Sequence, residues 1–282
     1  MSFRSHLLHL LSALCVLFIA NPVSYGVTWT TIDYPNSLDT GLNGINSSGV
    51  MTGIYIDPND FSIHGFTLNA GTYSDISYPG SSDTQAYGLN DAGDVVGFYS
   101  DGTTVHGFLY RAQAFTTIDY PGATSTIIVG INDSGVIAGY ATDQQGTIHG
   151  FTLSGGIYTN LASNAQPTGI NNLGDIVGVG IDGQGNPVSF ILTQGHSYRI
   201  QDQDQNITRT QAFGVNDDRK IVGNLLTRKG GELGFALVRS KYSPFSFPGA
   251  SSTLAYGVNN LQQIVGSYVD SSGIQHGFLV GP

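Results

Sequence analysis

Cysteine is almost missing from this chain: 282 residues contain one, Cys15. Glutamate also occurs once, at Glu232, and all charged residues together make up 11% of the sequence. So few straight-chain helix formers argue against a helical bundle. A glycosidase with a carboxylate pair would have to rely on aspartate. No Gly-x-Ser-x-Gly, zinc-protease or P-loop motif is present, and beyond the N-terminus no apolar run is long enough to span a bilayer. Glycine, by contrast, occurs 39 times, and Tyr and Phe together supply 29 aromatic rings. That balance of turn formers and aromatics predicts an all-β chain of short strands.

The N-terminus is a separate object. Met1 to Arg4 supplies a short basic segment, Leu7 to Ala20 an apolar one, and Asn21 to Gly26 a polar stretch suited to cleavage after Gly26. Residues 1–26 therefore read as a signal peptide, and residues 27–282 as one exported domain, secreted or periplasmic. Cys15 lies inside the apolar run, in a poor context for lipidation. The mature chain is thus expected to hold itself together without a disulfide in an oxidising compartment. Net charge is −10, and −11 once Arg4 is removed. An excess of that sign opposes nucleic-acid binding.

Aligned on itself, the chain shows an asparagine in every repeat: Asn46, Asn90, Asn132, Asn171, Asn216 and Asn259, at spacings of 44, 42, 39, 45 and 43 residues. A glycine stands two positions before each and another seven after each, and a phenylalanine follows at 66, 108, 151, 190, 235 and 278. Each unit reads as four strands with turn signals between them. Ala86 to Asn90, Asp94 to Tyr99, His106 to Tyr110 and Phe115 to Tyr120 are the example. The second strand is apolar at consecutive positions, as expected where both faces of a sheet are covered. The asparagine reads as a turn residue, and the first-strand glycine as a point of close backbone approach.

The chain begins and ends out of phase. Thr28 to Pro35 matches a fourth strand, while His276 to Val280 is a third strand with nothing after it. The N-terminal strand should complete the last unit and remove the edges an open ring would leave. The expected fold is a six-bladed β-propeller with four strands per blade, closed in this way.

At His64, His106, His149 and His276 a His-Gly-Phe tripeptide recurs after Gly-Ile-Asn-like and Gly-x-Tyr-like segments. In this the chain resembles the bacterial extracellular HAF-repeat proteins, with Gly in place of their central Ala, from Trp29 onward. The resemblance implies an exported protein of propeller-like repeats; it brings no catalytic residues with it.

The histidines invite a catalytic reading, but a catalytic site is made once, not four times. The residue closing the second strand is Asp57, Asp101, Asp143 or Asp270 in every unit that carries the histidine, five to seven residues before it. Structural Asp–His pairs across each hairpin are therefore expected: Asp57 with His64, Asp101 with His106, Asp143 with His149 and Asp270 with His276. The hairpin aspartates resemble calcium loops only weakly, because each offers one carboxylate where calcium takes 6–8 oxygens. No metal site or cofactor is expected, calcium being the alternative these hairpins leave open. Gly178 to Gly183 matches Gly-x-Gly-x-x-Gly but sits in a strand and opens no helix, so it lacks the phosphate-binding context.

One irregularity is unexplained by the repeat. Eight of ten basic residues fall between Arg199 and Lys241, in unit five and its entry loop, where Gln201 to Asn206 replaces Tyr-Pro-Gly. The loops joining strands two to three and those leading into the next unit share one end of the molecule. That end should carry Arg199, Asp202, Asp204, Arg209, Thr210, Arg228 and Lys229 as ligand-binding candidates. Fork-shaped donors beside amides suit a carboxylate or a sugar. The function expected is non-enzymatic binding by a monomer, with a glycan or an envelope protein as partner. The alternative is a hydrolase or lyase acting on an ester, lactone or polysaccharide at the channel mouth. Convergent carboxylates there would favour the enzyme; hydroxyls and aromatics would favour binding.

Overall fold

Turn glycines and short apolar runs convert into strands throughout the computed structural model, which describes residues 27–281. The signal peptide expected over residues 1–26 lies outside the described residues. Twenty-four strands and no helix are found among them. After β1 (Thr28–Ile32), the first set is β2 (Thr40–Ile45), β3 (Met51–Ile56), β4 (Ile63–Asn69) and β5 (Thr72–Ile76). The second is β6 (Asp83–Leu89), β7 (Val95–Ser100), β8 (Val105–Arg111) and β9 (Ala114–Ile118). The third is β10 (Ala123–Ile131), β11 (Ile137–Asp143), β12 (Ile148–Ser154) and β13 (Ile157–Ser163). The fourth is β14 (Gln166–Ile170), β15 (Ile176–Ile181), β16 (Pro187–Thr193) and β17 (His196–Ile200). The fifth is β18 (Ile207–Val215), β19 (Ile221–Thr227), β20 (Glu232–Val238) and β21 (Lys241–Phe245). The last is β22 (Ser252–Val258), β23 (Ile264–Val269) and β24 (Gln275–Gly281).

Within each set consecutive strands pair antiparallel, and β1 supplies the fourth strand of the last set, with Thr28 opposite Gly281 and Ile32 opposite Gly277. Second strands are the most buried, as their unbroken apolar runs require: Val95 to Tyr99 of β7 is buried throughout. Phe66, Phe108, Phe151, Phe235 and Phe278 are fully buried. The core lies between sets rather than inside one; Ile32, Leu42, Phe66 and Val265 share a cluster drawn from both ends of the chain.

First strands meet around an axis. A Cβ on Gly44 would stand 2.7 Å from the Tyr87 carbonyl, one on Gly88 2.8 Å from the Gly130 Cα, and one on Gly257 3.1 Å from the Gly44 Cα. Only a residue without a side chain lets the backbones approach so closely. The asparagines complete this ring. Asn132 Oδ1 accepts the N–H groups of Ser134 and Val136, forming the expected turn. Its Nδ2 also donates to the carbonyl of Asn171 in the next set, at 3.2 Å. The same donation runs from Asn46 to Asn90, Asn90 to Asn132, Asn171 to Asn216, Asn216 to Asn259, and Asn259 back to Asn46. No strand ladder closes the circle among the described residues; the side-chain amides do.

Neighbouring sets are bridged further out by parallel pairs: Ile63 with Asp83, Val105 with Ser125, and Glu232 with Ser252. The fourth set has no such bridge on either side and stands as a separate four-stranded sheet. Its residue at the bridging position is Pro187, which has no N–H to offer.

Candidate functional site

The hairpin aspartates cap turns before they do anything else. Asp143 Oδ1 accepts the N–H groups of Gln145 and Thr147, and Asp270 Oδ1 those of Ser272 and Ile274. Their second oxygen faces the histidine: Asp143 to His149 at 2.8 Å, Asp101 to His106 at 3.4 Å, and Asp270 to His276 at 3.6 Å. A second carboxylate, absent from the sequence reading, holds the other ring nitrogen. Asp119 lies 3.0 Å from His106 Nδ1, and Asp33 3.0 Å from His276 Nδ1. Each ring also stacks on the second-strand tyrosine, His106 on Tyr99 and His276 on Tyr268.

The first-set pair is corrected. Asp57 accepts from Asn59, while His64 bonds Ser62 and Ser77. The seven-residue separation inserts Asp60 and Ser62, and Asp60 binds Ser62, which in turn reaches the histidine. Losing His106 would not strand a buried charge. The side chains of Asp101 and Asp119 are 48% and 50% exposed, so water can replace the imidazole.

What remains is a pH dependence. Burial pulls the His106 pKa down, but bonds to Asp119 and Asp101 outweigh it and raise it above 6.5. A raised folded pKa gives stabilisation that is complete below the unfolded value and fades as pH rises through the folded one. The melting-temperature loss caused by His106→Ala should therefore be larger at pH 5.5 than at pH 8.5. Equal losses at both would mean that stacking on Tyr99 is the whole contribution.

The threonines at the loop end latch the loops that enter their sets. Thr40, Thr84, Thr126, Thr210 and Thr253 are all buried, and their hydroxyls accept the N–H of Tyr34, Tyr78, Tyr120, Asp202 and Phe247. Thr210, a ligand-binding candidate, accepts the entry-loop N–H of Asp202 and lines both cavities beside that loop.

The basic residues divide between the two ends. Arg219 lies on the asparagine-turn end and pairs with the buried Asp175 at 2.8 Å. Arg199, Asp202 and Arg209 do come together, around a cleft of about 40 Å³ beside Ser189 and Thr208. Arg199 faces Asp182 at 3.5 Å. Arg228 reaches the same loop, but its Nε donates to the Gln205 carbonyl at 2.6 Å. Asp204 caps its own turn by accepting from Asn206. Lys229 is exposed on the neighbouring hairpin. The Arg209 side chain makes no hydrogen bond or ion pair among the described residues. Arg209 also lines a second cavity of about 200 Å³, where the fourth set meets its neighbours, together with Asn164, Gln166, Thr210, Gln211, Val179 and Ile181. That is the seam Pro187 leaves unbridged.

At the axis, the asparagine-turn mouth brings Asp91, Asp133 and Asp217 around a cavity of about 70 Å³. Each carboxylate accepts a neighbouring unit's backbone N–H, from Ser47, Asp91 and Asn172 respectively. Further along the axis a second cavity of about 80 Å³ is lined by the glycines with Asn43, Tyr87, Thr168 and Tyr256.

No family model and no curated protein matches the chain. Solved structures do. The fucose-bound lectin of Aleuria aurantia, described as a six-bladed β-propeller, aligns at 12% identity and a TM-score of 0.53, over 90% of this chain and 97% of that one. The SapL1 lectin with α-methyl fucoside aligns at 12% identity and a TM-score of 0.57, over 87% and 96%. TolB of Acinetobacter baumannii aligns at 9% identity and a TM-score of 0.59, over 87% of this chain and 64% of that one. At such identities the likeness establishes a fold, and the fold is a β-propeller.

Proposed function

We propose that this chain is an exported, non-enzymatic six-bladed β-propeller of the HAF-repeat kind, closed by β1, that binds carbohydrate. The observation carrying this is the cavity at the edge of the fourth set, which Arg209, Asn164, Gln166 and Gln211 line together with the apolar Val179 and Ile181. Planar donors over an apolar surface suit a sugar ring with its hydroxyls, or a uronate carboxylate on Arg209. A volume of about 200 Å³ lies below the ~300 Å³ lower end of drug-sized pockets, and accommodates a single ring. The lectin character of the structural neighbours supports the same reading. A hydrolase would have to use the mouth carboxylates, each of which already accepts a backbone N–H.

The test is a glycan array probed with residues 27–282, followed by titration of the best glycan. Arg209→Ala combined with Gln166→Ala should weaken binding tenfold or more, about 1.4 kcal/mol. Unchanged affinity in that variant would remove the site from the account.

A further inference from the structure

Five of the six sets fill one position with their own aromatic rings. In the second set Tyr78 stacks on Tyr99 at 3.5 Å and 4°, Tyr99 on His106, and Phe115 packs edge-on against Phe108 at 5.2 Å. The strand-four ring recurs as Tyr73, Tyr158, Tyr242 and Trp29, each paired across from its third strand in the same register. In the fourth set that register position is Ser197, opposite Leu192. The stacking tyrosine is replaced by Gly180, and the histidine by Val188. Three rings are lost from one place while the phenylalanine floor, Phe190, is kept.

The backbone does not collapse into the gap. A cavity of about 180 Å³ remains, lined by Ala162, Gly180, Val188, Phe190, Leu192 and Ser197. Phe190 is half-buried, whereas its five counterparts are fully buried. Ile181 at the rim is 58% exposed. The cavity shares Asn164, Gly180, Ile181 and Val188 with the one that Arg209 lines, so the two adjoin.

We infer that this slot is a binding site for an aromatic ring carrying a carboxylate. The ring's chemistry is given by what the other sets place there: tyrosine and phenylalanine rings against a phenylalanine floor. The carboxylate's position is given by Arg209, a cation without a partner in a chain of net charge −10. The inference goes beyond carbohydrate binding and stands without it, because it rests on the missing rings.

The test uses 4-hydroxyphenylacetate, which copies the tyrosine ring and adds an acidic arm, and 4-cresol, which lacks the arm. Calorimetric titration of residues 27–282 should give saturable binding of both, the acid at least tenfold tighter. Arg209→Ala should reduce the acid to the affinity of the cresol. Gly180→Tyr restores the ring that the first, second and last sets carry as Tyr55, Tyr99 and Tyr268, and Ser197→Phe the strand-four ring that all five other sets carry. A Cβ at Gly180 meets only the Asn164 carbonyl closely, at 3.1 Å. Each variant should melt higher than the parent and lose binding of both probes tenfold or more. Should one fail to fold, the other decides. No saturable binding of either probe, or undiminished binding by a folded Gly180→Tyr or Ser197→Phe protein, overturns the inference. Neither probe contains a sugar, so a failed glycan array leaves this result intact, and the reverse holds too.

Discussion

Removing residues 27–31 should lower the melting temperature by about 10 °C. Those residues carry most of β1, the strand that pairs with β24 and completes the last set from the opposite end of the chain. Trp29 packs against Phe245, Phe247 and Phe278 with centroids 5.4–5.8 Å apart, and Thr31 bonds the Tyr268 hydroxyl. Deleting a packed aromatic of this size costs about 3–5 kcal/mol. A domain of this size loses roughly 2–4 °C per kcal/mol. The deletion also uncovers the edge of β24, so aggregation on heating should accompany the shift. A melting curve superimposable on the parent's would show that β1 is an appendage and not a closing strand.

The second large effect is expected at the asparagine ring. Asn132 is buried and makes three bonds, two that cap its own turn and one that holds the next set. Asn132→Ala leaves two N–H groups and a carbonyl without their partner, at about 1–3 kcal/mol for each buried group that water cannot reach. A loss of about 3 kcal/mol overall is expected in chemical denaturation. Asn132→Asp separates the two roles. It keeps the turn acceptor, but turns a carboxylate oxygen toward the Asn171 carbonyl, and burial raises the pKa of such a group. Its stability should be lower than the parent's at pH 7 and should recover part of the deficit as the carboxyl protonates on acidification. A deficit independent of pH would mean that the inter-set bond contributes little.

The repeat was legible because every set needs the same backbone contacts, and glycine, asparagine and phenylalanine at fixed positions record them. The second half of the asparagine's role was readable in principle. Aspartate or serine would cap the turn equally well, so asparagine in all six units signals that its N–H₂ is used. Asp119 and Asp33, which hold the far nitrogen of the histidines, were missed because they lie thirteen residues or a whole chain away from them. The bond by which Thr210 holds the entry loop was not legible, because sequence does not show which backbone N–H meets a hydroxyl. The fourth set's losses at Gly180, Val188 and Ser197 are scattered along three strands. Only the register of those strands shows that they empty a single space, which is why sequence pointed to unit five and the cavities lie against unit four.

Carbohydrate binding at the edge of the fourth set is tested most directly by solution titration of an array-selected glycan, with the glycan recovered afterwards and weighed by mass spectrometry. The account predicts saturable one-to-one binding, weakened at least tenfold by Arg209→Ala with Gln166→Ala, and a recovered glycan of unchanged mass. A cleaved glycan, or binding indifferent to both substitutions, would contradict it.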